Sequence, residues 1–327
     1  MRFNTLLFAQ FLMLFVLFSC ADESKEDKKN QVEKQSTEKS NTKEESTNQQ
    51  ELVNTAHSST HLIKFKVEQP VDDFLVKFNE LMNANPGMLV TNTFDHQENA
   101  KSSHLTMDFS TFHHLYTNQL VNPLVAENPL TALDLPMRIH FYEEDGEDLV
   151  QFIDGNYLIK RYNLNSSIET ASSNSRVLNS ITQSLSNNEA FTSADLNFKK
   201  FEGIDIYQST SNFNQTAKSI LGNIKKKSDV SLLAAHDFQS FAEDAGFEMG
   251  KCILLLFGNP KVGTSLMKEK PSLGIDLPLK LLIYEDGDGS TKVASNDMNF
   301  IFGLHGYQNR ELAEQMNQLA KSLITGN

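Results

Sequence analysis

An internal repeat limits what this chain can fold into more than any other feature of its sequence. Glu127–Glu143 aligns with Glu269–Glu285 without a gap. This repeat alignment has seven identical positions, which in the first stretch are Glu127, Pro129, Asp134, Leu135, Pro136, Tyr142 and Glu143. Because self-similarity at a fixed offset marks duplicated structural units, the sequence predicts two tandem domains, residues 60–190 and residues 198–327.

Both copies show the same order of predicted elements. Each begins with a strand, a helix and a second strand, and each ends with a helix. The last helix, near Asn309–Leu323, carries apolar residues at helical spacing. Further strands are predicted between the second strand and the last helix of each copy, and a Gly-containing hairpin turn joins two of them. One of these strands is Leu149–Ile153 in the first copy. This order predicts an α+β fold in which each domain is an antiparallel sheet with helices packed on one face.

The first residues of the chain are typical of an export signal. Arg2 precedes an apolar stretch, Thr5–Phe18, that is too short for a good membrane span and fits a secretory signal peptide. The stretch ends in V-L-F-S-C, which resembles a bacterial lipobox. This resemblance implies a lipoprotein signal peptide over residues 1–19 and acyl groups on Cys20, which would anchor the chain in a membrane. An ordinary cleaved signal peptide is the alternative.

Residues 20–59 are expected to form a disordered tether. They consist mainly of Lys, Glu, Asn, Gln, Ser and Thr, and such a segment buries too little apolar surface to offset the entropy of ordering. The anchor and tether together predict a protein of the bacterial cell envelope that is lipid-anchored in the outer membrane and either faces the periplasm or is exposed at the cell surface.

The overall charge argues against a nucleic-acid partner. The formal net charge is -13 and the isoelectric point is near 5.2, whereas a nucleic-acid surface needs a basic patch. With Cys20 in the processing signal, Cys252 is left as a single thiol at the start of an apolar strand, where we expect a buried cysteine.

The second copy resembles a known family. Phe257–Met267 reads F-G-N-P-K-V-G-T-S-L-M, and the motifs P-S-L-G-I-D-L-P and L-H-G follow it. These residues resemble the domain of unknown function 302 family. The resemblance implies a β-α-β(4)-α domain of the TATA-binding-protein-like class that tends to pair, and it implies no assigned activity. The first copy is a degenerate relative, because it has L-Y-T-N-Q-L-V-N at Leu115–Asn122 and Asn163 where the second copy has His305.

The glycine-rich loop of the second copy allows two interpretations. Lys261, Gly263 and Thr264 loosely resemble a phosphate loop, which uses free backbone N–H groups, a Lys and a Ser or Thr. The spacing does not fit a Walker motif, and Pro260 lacks an N–H donor. The alternative is a strand that ends before a helix, with Asn259 or Thr264 as the helix cap.

Two histidines of the second copy are candidates for a site. His236 and His305 lie beside the family motifs, with Asp237 and Asp276 as possible partners, and histidines serve both metal binding and acid–base chemistry. The chain has no H-E-x-x-H or C-x-x-C spacing, so hydrogen-bonded structural histidines are the alternative. His113–His114 has no histidine counterpart in the second copy and is predicted to lie in a loop.

The sequence therefore predicts a non-enzymatic envelope module that binds a small ligand or a protein partner. The two domains are expected to pair within the chain as a pseudo-dimer. No catalytic residue, metal or cofactor is indicated; D-G-D-G-S at Asp286–Ser290 fits a hairpin turn better than a calcium loop. An envelope enzyme, a hydrolase or a redox-linked activity that uses His236 or His305, is the alternative, and a purely structural protein is the third. The candidate ligand-binding residues are His236, Asn259, Lys261, Gly263, Thr264 and His305.

Overall fold

The structure, a computed structural model, describes residues 60–185, 189–193 and 196–326. The signal peptide, Cys20 and the tether predicted above lie outside these ranges. Within the described ranges, no helix has the length and apolar character needed to cross a membrane. Both repeats belong to one compact unit.

The first repeat contains five strands, and a short sixth strand follows its last helix. Its helices and turns lie between and after these strands in the predicted order. In chain order the elements are β1 Leu62–Lys66, α1 Val71–Asn83, β2 Leu89–Asp95, α2 His96–Ser102, β3 Ser110–Tyr116, α3 Asn118–Glu127, a 3₁₀ helix Pro129–Asp134, β4 Met137–Glu144, β5 Glu147–Ile153, α4 Gly155–Tyr162, α5 Ile168–Leu185 and β6 Ala190–Thr192.

The second repeat has the same order of elements. They are β7 Ile204–Gln208, α6 Phe213–Lys226, β8 Ser231–Asp237, α7 Phe238–Asp244, β9 Cys252–Gly258, α8 Pro260–Glu269, a 3₁₀ helix Pro271–Ile275, β10 Leu279–Glu285, β11 Thr291–Asn296, α9 Met298–Leu304 and α10 Arg310–Thr325. The predicted α+β class and the predicted tandem arrangement are confirmed.

Each repeat forms one antiparallel sheet. The strand order is β2-β3-β4-β5-β1-β6 in the first sheet and β8-β9-β10-β11-β7 in the second. The pairing register repeats as well, because Ser110 lies opposite Tyr142 in the first sheet and Cys252 lies opposite Tyr284 in the second. The offset of the repeat alignment therefore also relates equivalent positions in space.

The hairpin between β4 and β5 follows from its sequence. Asp145 and Gly146 form a two-residue turn with φ angles of 56° and 75°. Positive φ at both central positions is the type I′ geometry that matches the twist of antiparallel strands, and Asp-Gly is a favoured pair for it. The turn fixes the pairing register of β4 with β5, and this register determines which side chains of β4 lie on each face of the sheet.

The first sheet is apolar on one face and polar on the other. On β4, Phe141 lies against α1, with its ring centroid 5.0 Å from that of Phe78. The alternate residues Arg138 and His140 point to the opposite face, as the two-residue period of a strand requires. Arg138 donates a hydrogen bond to Asp276 of the second repeat, so the polar face of this sheet is buried by the other repeat.

The two repeats contact each other reciprocally. The 3₁₀ helix Pro129–Asp134 contacts β9, β10 and β11, and the 3₁₀ helix Pro271–Ile275 contacts β3 and β4. Helix α2 contacts α8, and α3 contacts α7. Each repeat thus covers part of the sheet of the other.

The loop prediction for His113–His114 is wrong. Both histidines lie in β3, and every residue of that strand is buried. The offset of the repeat alignment places them on Leu255 and Leu256 of β9, so two polar residues interrupt what is an apolar strand in the second copy. The strand tolerates them because each ring has a partner: His113 Nδ1 lies 2.7 Å from Thr93 Oγ1, and His114 Nδ1 lies 2.8 Å from His236 Nε2.

Candidate functional site

The Gly258–Thr264 loop leads from β9 into α8. The side chain of Asn259 caps α8 by accepting a hydrogen bond from the backbone N–H of Lys261, at 3.0 Å. Pro260 occupies the first helical position, where its missing N–H removes no helical hydrogen bond. The interpretation of this loop as a strand exit with a helix cap is confirmed.

A cavity of about 170 Å³ opens beside this loop. Three of the sequence-predicted residues, Asn259, Gly263 and Thr264, line it. The first repeat contributes His96 and Asn99 of α2. The wall of the cavity therefore comes from both repeats, at the contact between α2 and α8.

The wall of the cavity is mainly apolar. Aliphatic and sulfur-containing side chains of β10, α8 and α10 form most of it, and Thr264 is a buried polar residue of this wall. An apolar concave surface with a few polar groups is typical of a small-molecule site. Further wall residues are Phe94, Met267, Leu277, Leu279, Leu312 and Met316.

The other three predicted residues lie elsewhere. The side chain of Lys261 is exposed, and Lys261 is not part of the cavity wall. His236 contacts His114 across the repeats, whereas His305 contacts Asp276 and Ser272 within its own repeat. Among the described residues, no hydrogen bond or ring contact joins His236 to His305, so the structure does not bring the two histidines into one site.

A buried ion cluster joins the two repeats. Arg138 donates to Asp134 at 2.6 Å and to Asp276 at 2.9 Å. His305 Nε2 lies 2.8 Å from the other oxygen of Asp276. Arg161 donates to Asp134 at 2.8 Å and also reaches Asn296 of the second repeat, at 2.8 Å. The cluster therefore contains two carboxylates and two guanidinium groups that water does not reach.

The cluster is nearly symmetric. Asp134 and Asp276 are equivalent positions of the repeat alignment. Tyr162 donates to Asp134 at 2.6 Å, in the same way that His305 contacts Asp276. Tyr162 therefore makes in the first repeat the contact that His305 makes in the second, although it stands one residue earlier in the chain. Asn163, which the sequence comparison aligns with His305, caps the end of α4 with φ 52°, as His305 caps the end of α9.

Burial and neighbouring charges set the protonation of this cluster. Burial alone would raise the pKa of Asp276, but Arg138 and the other cationic neighbours outweigh it and hold the pKa well below its usual range. Burial lowers the pKa of His61 to about 3. Burial and the charge of Arg138 lower the pKa of Lys280 to about 7, against the opposing effect of Asp276. The carboxylates are thus charged and His61 is neutral at neutral pH.

His61, Asp276 and His305 place three possible metal-ligand atoms within 4.8 Å of one another. Electrostatics disfavours a divalent cation there, because Arg138 Nη1 lies 2.9 Å from one oxygen of Asp276 and Lys280 Nζ lies 3.7 Å from it. At a separation of about 5 Å and an effective dielectric of about 20, the cation would be repelled by Arg138 by about 7 kcal/mol. We interpret the cluster as an ion-pair network.

Sequence reasoning missed most of this cluster. Asp134 and Asp276 survive in both repeats and were available as a signal. Arg138 stands opposite Lys280 in the repeat alignment, so a shared positive charge was also visible. His61 and Arg161 have no such signal, since the alignment places no basic residue at their counterparts.

A family model described as "Domain of unknown function DUF302" matches residues 63–184 and 206–325. These two matches fall on the two repeats and cover more than half of the chain. The chain belongs to the DUF302 family. The resemblance found in the second copy is confirmed, and it extends to the degenerate first copy.

Other comparisons cover smaller parts of this DUF302 chain. "Fluoride-specific ion channel FluC 1" of Brucella suis biovar 1 (strain 1330) is 33% identical over 90 residues, which are 28% of this chain and 34% of that protein. The protein of the same name from Brucella abortus biovar 1 (strain 9-941) is also 33% identical over 90 residues, 28% of this chain and 32% of that protein. The chain thus spans about a third of the length of these curated relatives.

A solved structure is also similar. It is the crystal structure of an uncharacterized conserved DUF302 protein from Bacillus stearothermophilus, with 18% sequence identity and a TM-score of 0.33. The similarity covers 38% of this chain and 94% of that chain.

Proposed function

We propose that this DUF302 protein is a non-catalytic module that binds a small, mainly apolar molecule in the cavity beside the Gly258–Thr264 loop. The observation that carries the proposal is the cavity itself, about 170 Å³ in volume and walled by both repeats. The position of the family motif supports it, because Asn259, Gly263 and Thr264 line the cavity, whereas the first copy has different residues at the equivalent positions.

The volume limits the size of the ligand. An apolar engineered cavity of about 150 Å³ takes up benzene, whereas sites for drug-sized ligands start at about 300 Å³. The cavity therefore suits a molecule with one small ring or a short branched chain. Binding is favourable because the apolar surface of the ligand leaves water and contacts the apolar wall of the cavity.

The alternative, acid–base catalysis by His236 or His305, gains no support from the geometry. Neither histidine lines the cavity, and burial lowers the pKa of both, that of His236 to about 4. A buried neutral imidazole with its ring nitrogen in a hydrogen bond has little access to a substrate.

The paired arrangement forms part of the proposal. The two repeats act as an internal pseudo-dimer. Their pairing creates the cavity, because residues of α2 in the first repeat and of α8 in the second both line its wall. The acylated Cys20 would hold this module at the membrane of the cell envelope, with residues 21–59 as the tether. The lipobox and the polar composition of that stretch support this part of the proposal.

Toluene tests ligand binding directly. Because both repeats belong to one compact unit, residues 54–327 serve as the test material. Toluene is expected to raise the melting temperature by mass action, with about 2.7 kcal/mol of stabilisation at a concentration one hundred times Kd. Gly263→Leu, which adds a side chain at a wall position with no atom within 4 Å of the new Cβ, is expected to abolish the shift.

Gly303→Leu is the matched control. Gly303 is an exposed helical glycine of α9 with the same open surroundings, and it does not line the cavity. We expect this variant to keep the full toluene shift. An unchanged shift in folded Gly263→Leu, or no shift in the unsubstituted protein, would refute the proposed site.

A further inference from the structure

The first repeat contains a filled counterpart of the cavity. The offset of the repeat alignment places Tyr116 on Gly258 and Asn122 on Thr264. The strand registers preserve this offset, so these pairs are equivalent in space. Where the second repeat has a glycine and an open cavity, the first repeat has a tyrosine side chain that is 2% exposed.

The surroundings of Tyr116 match the wall of the cavity. Its ring centroid lies 4.8 Å from that of Phe241, which is the counterpart of the wall residue Asn99. Its hydroxyl donates a hydrogen bond to Asn122 Oδ1, and Asn122 is the counterpart of the wall residue Thr264. Both contacts of the phenol therefore correspond to residues that line the cavity in the other repeat.

The second repeat has room and a polar group for the same chemistry. A Cβ added at Gly258 would meet only Pro278 Cβ, at 3.7 Å, an ordinary contact. Thr264 lines the cavity and is 1% exposed. A threonine hydroxyl can both donate and accept a hydrogen bond, so a bound molecule that carries a hydroxyl group can form one with Thr264.

We propose that the cavity binds a small monocyclic phenol, held as the first repeat holds the side chain of Tyr116. This inference rests on the proposed function, since it names the class of ligand for the same cavity. The ring lies among the apolar wall residues, any para substituent points toward the backbone of Gly258, and the phenol hydroxyl hydrogen-bonds Thr264. The first repeat thus carries as the side chain of Tyr116 the phenol group that the second repeat binds from solution.

A comparison of p-cresol with toluene tests the hydrogen bond, because the two differ by the hydroxyl alone. Isothermal titration of residues 54–327 is expected to give a Kd for p-cresol that Thr264→Val raises about three- to tenfold, the value of one hydrogen bond. The Kd for toluene should stay within about twofold in the same variant, since the two side chains have nearly the same shape. Thr325→Val, outside the cavity wall, should change neither Kd.

Exchanging the residues at positions 116 and 258 tests the equivalence of the two repeats. Gly258→Tyr is expected to fill the cavity and abolish p-cresol binding. Tyr116→Gly is expected to open a second site, so that two molecules of p-cresol bind per chain and the melting temperature rises further than in the unsubstituted protein. If Tyr116→Gly does not fold even with p-cresol present, the Gly258→Tyr and Thr264→Val results decide the matter.

The outcomes separate this inference from the proposed function. Toluene binding together with a p-cresol Kd that Thr264→Val leaves unchanged would overturn the phenol assignment and leave the apolar site standing. Retained p-cresol binding in Gly258→Tyr would also overturn the assignment. Failure of both toluene and p-cresol to bind would overturn the proposed function and the inference together.

Discussion

Acidification from about pH 7 to about pH 5 is expected to unfold this protein almost completely. Burial lowers the pKa of seven histidines below the ordinary value, to about 3 for His61 and to about 4 for His96, His113 and His236. The folded state therefore holds these rings neutral, while the unfolded chain protonates them near pH 6.5. The full set is His61, His96, His113, His114, His140, His236 and His305.

The direction of this effect follows from proton linkage. Below about pH 6.5 the unfolded chain binds more protons than the folded protein, so stability falls as pH falls, until the folded pKa values are reached. Each histidine contributes about 1.4 kcal/mol per pH unit in that window. The four histidines with pKa values of about 3 or 4 together remove about 3 kcal/mol by about pH 6 and about 8 kcal/mol by about pH 5, and the other three act in the same direction. This loss is comparable to the whole stability of a typical domain.

Urea unfolding of residues 54–327 at a series of pH values measures the effect. The free energy of unfolding should fall steeply between about pH 6.5 and about pH 5, and His113→Gln should reduce the slope by about one proton. His104 is exposed, so His104→Gln is the matched control and should leave the slope unchanged. A free energy of unfolding that is constant across this window would contradict neutral buried histidines.

Arg138→Met is expected to destabilise the protein by about 3–5 kcal/mol, the cost of removing one partner from a buried ion pair. Methionine keeps much of the volume of the side chain and removes the charge. Arg138 contacts Asp134, Asp276 and the carbonyl of Ile275 at 2.6, 2.9 and 2.7 Å. Its loss leaves two buried carboxylates with fewer donors and removes two direct hydrogen bonds between the repeats.

The same urea measurement at pH 7.5 gives the loss for Arg138→Met. Arg310→Met is the control, because Arg310 makes an exposed ion pair with Glu314, and such pairs contribute little. Asp276→Asn combined with Arg138→Met should lose less than the sum of the two single changes, since each removes part of the same interaction. A loss below about 1 kcal/mol for Arg138→Met would show that the ion cluster does not hold the repeats together.

The sequence predicted the elements that local chemistry determines. The repeat alignment located the central strands of both sheets, and the predicted strand Leu149–Ile153 lies within β5, Glu147–Ile153. The glycine turns and the cap at Asn259 were also correctly predicted, because turns and caps depend on a few adjacent residues. Helix α10 differs from its predicted bounds by a residue or two at its ends, Arg310–Thr325, with Asn309 as its cap.

Features that depend on contacts between the repeats were not predictable from one copy at a time. His113–His114 lies in a buried strand because the partners of the two rings come from β2 and from the second repeat. The role of Arg138 depends on the face of β4 that the second repeat covers. Tyr116 looked like a lost motif residue, and only the structure shows that its ring has the surroundings of the cavity wall.

Methyl NMR on residues 54–327 tests the cavity most directly, with ¹³C-labelled methionine methyl groups as probes. Met267 and Met316 line the cavity, whereas Met82 and Met88 are buried in the first repeat outside the cavity wall. Addition of toluene or p-cresol is expected to shift the resonances of Met267 and Met316 saturably and to leave those of Met82 and Met88 in place. Unchanged Met267 and Met316 resonances, or equal shifts at all four methionines, would contradict a ligand site between the repeats.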